Sequence, residues 1–232
     1  MKFMKASKSK DESLGDCMLP AKFGGEELLL DCSGAMYMPQ YKTLIFSDLH
    51  FEKGSYFAAR GNPIPVYDTL ETIQRMEQII ARYVPERVIC LGDSFHDYKA
   101  ELRIDPADKN RLDDLCNNIK EWVWILGNHD KHFPQNLPGI TAANQKIGSL
   151  YFSHEYENIP LSVIGHYHPK LRISLHGHRI SGPCFINDAN LLIMPSFGAF
   201  TGGLYTDSEA ISALFTGKPK KHLIYNNKIW PI

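Results

Sequence analysis

The chain has 232 residues, 44% hydrophobic and 22% charged, a balance that suits one folded domain with a sizeable core. Lys and Arg total 25 against 26 Asp and Glu, a net charge of −1, which argues against a protein that grips long duplex DNA through a wholly basic surface. Any affinity for nucleic acid must come from a local patch or from bound cations. No apolar run approaches the roughly 20 residues that cross a bilayer, and Met1–Lys10 is polar and lysine-rich without the apolar stretch of a secretory signal. A cytoplasmic protein with no membrane partner is expected. Cys17, Cys32, Cys90, Cys116 and Cys184 form no C-x-x-C pair and are expected to be free, mostly buried thiols.

Residues 1–22 are polar and are expected to form a flexible N-terminal segment, leaving 23–232 as a single domain. Glu26–Met38 reads as a hairpin with a turn at Gly34. Thr43–Ser47 reads as a buried strand that delivers Asp48 at its carboxyl end. Over 68–84, Leu70, Ile73, Met76, Ile80 and Tyr83 recur at helical spacing; Asp68 and Glu71 have capping-box spacing, and Pro85 stops the run. Arg87–Leu91 is a second apolar strand, ending on Gly92-Asp93. Asp105-Pro106 opens a second helix, an N-cap followed by Pro at the first helical position. Trp122–Leu126 is a third strand, ending on Gly127-Asn128-His129-Asp130.

This repeat of strand, polar motif and helix predicts an α/β fold with its functional groups at the carboxyl edge of a sheet. The second half is rich in strands: Leu150–Phe152, Leu161–Ile164, Leu171–Ser174, Leu191–Met194 and His222–Tyr225. A second sheet packed on the first is the expected consequence.

Five motifs follow strand-like runs in order: Asp48-x-His50, Gly92-Asp93, Gly127-Asn128-His129-Asp130, His154 and Gly165-His166-x-His168. In extended chain, residues two apart share a side, so Asp48 with His50, and His166 with His168, can each face one ion. Asp48, His50, Asp93, Asn128, His154, His166 and His168 supply donors for two divalent cations, with Asp93 able to bridge. Oxygen and nitrogen donors without thiolate suit manganese, iron, zinc or nickel. His129, beside Asn128, is free to act as a general acid near neutral pH. His96 or Asp97 could orient it, with Asp97 preferred. Lys53, Arg60 and Tyr67 could contact substrate. Gly198–Gly203 could bring backbone close to it or serve as a packed turn. His132, His176, His178 and His222 read as incidental, and Lys218, Lys220 and Lys221 as a solvated turn.

The series D-x-H, G-D, G-N-H-D, H and G-H-x-H, from Thr43 to His168, resembles the calcineurin-like metallophosphoesterase superfamily. That resemblance implies an αββα four-layer sandwich of two mixed sheets flanked by helices. It also implies that Asp48, His50, Asp93 and His168 hold one metal, that Asp93, Asn128, His154 and His166 hold the other, and that His129 is catalytic. Asp130 departs from the pattern, since many members carry Glu there. The stretches "RGNPIPVYDT" and "MPSFGAFTGGLYTD", with "LGDSFHDY" and "GHYHPK", resemble a bacterial branch, the ligase-associated DNA damage response endonuclease family. This second resemblance covers residues 24 to 232. It implies a metal-dependent phosphodiesterase or endonuclease in DNA repair, associated with an ATP-dependent DNA ligase, a helicase and an exonuclease; of the two divalent cations expected, manganese is the first choice, with iron, zinc or nickel as alternatives. Two other readings compete with it: a phosphomonoesterase or nucleotide phosphodiesterase on small substrates, and a non-catalytic scaffold, which intact ligand motifs disfavour.

Overall fold

The computed structural model describes residues 17–62, 65–175 and 177–232. Strands β1 (Met18–Phe23), β2 (Glu26–Asp31), β3 (Met36–Met38) and β4 (Thr43–Ser47) form an antiparallel series. The first sheet then continues in parallel through β5 (Arg87–Leu91), β6 (Glu121–Ile125) and β7 (Ile140–Ala142). Helices α1 (Lys53–Ala58), α2 (Asp68–Tyr83) and α3 (Pro106–Asn117) lie in the connections. Because parallel strands are covered on both faces, they read as continuous apolar runs. Ile45, Ile89, Leu91 and Val123 point into the sandwich, whereas Leu44, Phe46, Val88, Cys90 and Trp124 meet Ile73, Met76 and Leu112 of the helices.

The second sheet has the order β15-β14-β12-β13-β10-β9-β8. Its strands are β8 (Asn144–Ile147), β9 (Leu150–Ser153), β10 (Ser162–Ile164), β12 (His178–Asn187), β13 (Leu191–Ile193), β14 (Lys220–Tyr225) and β15 (Lys228–Pro231), with β11 (Lys170–Leu175) paired to β12. Leu150, Phe152, Val163, Phe185 and Leu192 close the core shared with the first sheet. On the outer face, Ile164, Ile186 and Ile193 pack on Ile211 and Phe215 around the short helix α4 (Glu209–Ser212). The molecule is thus a mixed α/β sandwich of two packed sheets with few helices, as expected of a metallophosphoesterase. Among the described residues, no helix is long and apolar enough to cross a membrane.

Three expectations change. Residues 1–16 lie outside the described residues, but β1 begins at Met18, inside the stretch read as irregular. It is a sheet-edge strand, where Pro20 is tolerated. Its pairing places Cys17 opposite Cys32, and the two form a disulfide, while Cys90, Cys116 and Cys184 are free and buried. Spacing alone could not show this, because the bond depends on a strand register that was not read. Finally, Asp68 is not the cap of α2. Tyr67 holds that position without a side-chain cap, and the Asp68 carboxylate instead accepts from the Gly54 N–H (3.0 Å). Asp105 does cap α3, accepting from the Ala107 N–H (2.8 Å).

The disulfide spans a sequence separation of 15, for which chain-entropy arguments give about 3 kcal/mol. Denaturation with and without reductant is expected to show a loss of that size, absent in a Cys17→Ser/Cys32→Ser variant; equal stability in both conditions would contradict it.

Candidate metal centre

Each ligand-bearing loop leaves the carboxyl end of a strand. The turns are not extended, as the two-residue spacing had suggested. Asp48, His50, Asp93, His166 and His168 all have positive φ, between 45° and 67°. Asp and His tolerate this left-handed region better than bulky residues, at a cost of order 1 kcal/mol or more each. Cross-loop hydrogen bonds hold it: the His50 N–H donates to the Asp93 carbonyl (2.9 Å) and the Phe51 N–H to the Ser94 carbonyl (2.9 Å). The convergence expected from an extended chain is therefore reached by a kinked one, which buries Leu49 between the two ligands. Glycines make room. A Cβ on Gly92 would fall on the His154 ring, and one on Gly165 would meet the Asp48 carboxylate.

Two clusters result. In the first, Asp48, His50 and His168 converge. His168 Nε2 lies 3.0 Å from Asp48 Oδ1 and 3.3 Å from His50 Nε2. In the second, Asp93, His154 and His166 converge, and Asn128 joins them. Asn128 Oδ1 is 3.0 Å from His154 Nε2 and 3.1 Å from His166 Nδ1, and Asp93 Oδ2 is 3.4 Å from His154 Nε2. Asp48 Oδ1 lies 3.9 Å from His154 Nδ1, which puts the clusters side by side.

The donor chemistry fits cations. His154 Nδ1 faces the Leu91 carbonyl (3.3 Å). A carbonyl only accepts, so that nitrogen carries the proton and Nε2 turns its lone pair toward the amide and carboxylate oxygens. Acceptors facing acceptors need positive charge between them. In the protein alone a proton serves. Burial pulls the His154 pKa down, but the Asp93 hydrogen bond and the charges of Asp48 and Asp93 prevail and lift it to about 9. His50 goes the other way, driven by burial to about 3, so its ring stays neutral. Burial opposes charge on Asp93 and Asp48 too, yet the neighbouring histidines hold both below the usual carboxylate range.

His129 sits at the edge, 39% exposed, with Nε2 4.0 Å from Asp93 Oδ2. Its backbone N–H donates to Asp93 Oδ1 (2.9 Å), and its Nδ1 meets the His96 carbonyl at 2.7 Å. The His96 ring stacks on the His129 ring, with centroids 5.5 Å apart and planes at 18°. The orienting group is therefore the backbone oxygen of His96. Asp97, preferred for that role, is instead engaged in an ion pair with Arg103.

Asp130, noted only as a shortened carboxylate, is the staple of the site. Its two oxygens accept from the backbone N–H groups of Ser94 (3.1 Å), Phe95 (3.1 Å) and Gly127 (3.0 Å). It thereby ties the Asp93 loop to the Asn128 loop. Burial raises its carboxyl to about 6 against the pull of those three donors. Of the substrate candidates, Lys53 opens α1 and faces His50 and His96 closely enough to act on both charges. The Arg60 guanidinium lies 3.5 Å over the Tyr56 ring, and Tyr67 meets Phe200. Gly198–Gly203 is a braced loop that also borders the centre: the Gly198 N–H donates to the Asp48 carbonyl (3.2 Å), and the loop lines a cavity of about 300 Å³ with His168. The remaining histidines lie elsewhere. His132 packs on Tyr98, His178 is exposed, His222 reaches Asn187, and His176 lies outside the described residues. Lys220 and Lys221 belong to β14 rather than to a turn.

Asp130→Ala leaves three N–H groups without an acceptor, those of Ser94 and Phe95 buried and that of Gly127 partly so. At about 1 kcal/mol or more for each, unfolding free energy is expected to fall by about 3 kcal/mol, measured by urea denaturation; a loss under 1 kcal/mol would mean the staple is dispensable.

Comparison with known proteins agrees with this geometry. The family model described as calcineurin-like phosphoesterase matches residues 41–200. Among solved structures, the nuclease MPE of Pseudomonas putida is similar at 26% identity and a TM-score of 0.69, over 93% of this chain and 100% of that one. The phosphoesterase Yfce from E. coli is more distant, at 18% identity and a TM-score of 0.40, over 79% of this chain and 88% of that one. No curated protein matches. With its family match spanning most of the sequence and its donor clusters formed, the chain belongs to the calcineurin-like phosphoesterase family and is a metal-dependent phosphoesterase.

Proposed function

We propose that this chain is a two-metal phosphodiesterase that cuts nucleic-acid strands as an endonuclease in bacterial DNA repair. The observation that carries the reading is the pair of adjacent donor clusters with an accessible imidazole at their edge. Asp48, His50, Asp93 and His168 would hold one cation; Asp93, Asn128, His154 and His166 would hold the other. Manganese is the proposed occupant, with iron, zinc and nickel as alternatives. When bound, such a pair supplies Lewis-acid stabilisation of phosphate charge and an activated water.

The rest of the chemistry belongs to the chain. The Nδ1 proton of His129 is committed to the His96 carbonyl, so only Nε2 can exchange a proton with substrate. Its exposure leaves it open to a leaving-group oxygen. The stacked His96 is held neutral, its pKa lowered to about 4 by burial and by the positive charges of Lys53 and His129, so it does not compete as a proton donor. Lys53, beside this pair, would meet substrate phosphate.

Similarity to a nuclease supports a nucleic-acid substrate. The near-zero net charge favours the competing reading, a phosphoesterase of small substrates. A cytoplasmic location and an association with an ATP-dependent DNA ligase, a helicase and an exonuclease complete the proposal.

Turnover of bis-p-nitrophenyl phosphate by metal-stripped protein, with manganese restored, tests the reaction class. His129→Ala is expected to keep its metal and lose about 10²–10⁴-fold in turnover, the usual contribution of a general acid. Asp93→Asn is expected to lose metal as well, because the bridging charge is gone. Full activity in His129→Ala would remove it from the mechanism. Parallel assays on single-stranded DNA and phosphomonoesters decide between the substrate classes.

A further inference from the structure

The loop 196–204 is fastened at both ends to the ligand loops. The Phe197 N–H donates to the Ser47 carbonyl (2.7 Å), and the Leu204 N–H donates to the Tyr167 carbonyl (3.3 Å). Gly203 lies so close to the His168 carbonyl that no side chain would fit. At the crest of this braced loop Phe200 has φ 57°, a left-handed conformation that a bulky residue rarely adopts. The strain does not serve the core, since the residue is 46% exposed. Opposite it stands Tyr67, 56% exposed, with ring centroids 6.2 Å apart. Tyr67 is also firmly based: Asp68 and Thr69, which follow it, are buried and bond Gly54 and Glu52. Between the loop and His168 lies the cavity of about 300 Å³, whose lining includes Arg75, Lys170 and Thr201.

We infer that Phe200 and Tyr67 form a stacking step that seats an unpaired nucleobase beside the scissile phosphate, on the His168 side of the centre. The inference rests on the phosphodiesterase reading above. Two rings are far smaller than the roughly 800 Å² per partner of a stable protein interface, but they match one planar base. A base stacks on an aromatic ring only when it is free of its own partner strand, and each such contact contributes about 1–3 kcal/mol. The polar cavity beside the rings suits the adjoining sugar and phosphate. The step would therefore select strand segments with unpaired bases, and Phe200 would be a specificity residue.

The test uses full-length protein with manganese and a single-stranded oligonucleotide whose cleavage position has been mapped. An abasic site is then walked across that position. For wild type, one abasic placement next to the cut is expected to lower kcat/KM about tenfold. Phe200→Ala is expected to cut the intact strand about tenfold more slowly, and to gain no further penalty from the abasic site. Phe200→Trp should restore the difference. Phe200→Gly should behave like Phe200→Ala without a lower melting temperature, since glycine relieves the left-handed strain. An abasic penalty of the same size in wild type and Phe200→Ala would overturn the inference while leaving the nuclease reading intact. Wild type that hydrolyses small diesters but no oligonucleotide would overturn both.

Discussion

Seven side chains whose nitrogen and oxygen lone pairs cannot all satisfy one another are pressed together at the carboxyl edge of the two sheets. His50 Nε2 and His168 Nε2 stand 3.3 Å apart, and His154 Nε2 faces Asn128 Oδ1 at 3.0 Å with Asp93 Oδ2 close by. Lone pairs at these distances repel unless positive charge lies between them, and inside a protein the repulsion is poorly screened. Protons relieve it in part, as the raised pKa of His154 indicates. Divalent cations would relieve it fully, and the hydrogen bond from His154 to the Leu91 carbonyl aims the ring for that purpose. The fold supplies the force that holds these groups together: buried strands fix where each loop begins, and loop-to-loop backbone bonds fix where each side chain ends.

The same constraint explains features that lie outside the ligand set. Left-handed backbone at Asp48, His50, Asp93, His166 and His168 is costly, and it persists because the segments on either side are over-determined. Asp130 binds three amides from two loops, and Phe197 and Gly198 bind the carbonyls of Ser47 and Asp48. Arg75 extends this bracing, donating to the Phe197 and Ser33 carbonyls at 2.8 and 3.0 Å. A ring of structural bonds thus surrounds a centre that would be unstable in isolation.

What could be read from the sequence follows from the same physics. Strands β4, β5 and β6 were legible because burial on both faces makes them apolar throughout. The α2 helix was legible by its period, but its capping was misread, since spacing does not reveal that Gly54 claims the Asp68 carboxylate. Edge strands β1, β7 and β8 are polar or carry proline, and β12 contains Gly182 and Pro183, so none gave a strand signal. The ligand residues were legible as chemical types in a fixed order. The partner of His129 was not, because a backbone carbonyl leaves no mark in a sequence; the nearby Asp97 drew attention instead, although Arg103 holds it. Asp130 did carry a signal, a carboxylate retained after Gly-Asn-His, but its task of gathering amides depends on contacts some 35 residues away in the chain. The Cys17–Cys32 bond was hidden by the same missed strand.

The central claim is that two cations occupy the two clusters. Anomalous diffraction at the manganese edge, from crystals of the protein loaded with manganese, tests it directly. The account predicts two peaks, one against Asp48, His50 and His168 and one against Asn128, His154 and His166, with Asp93 between them. A single peak, or peaks away from these residues, would contradict it.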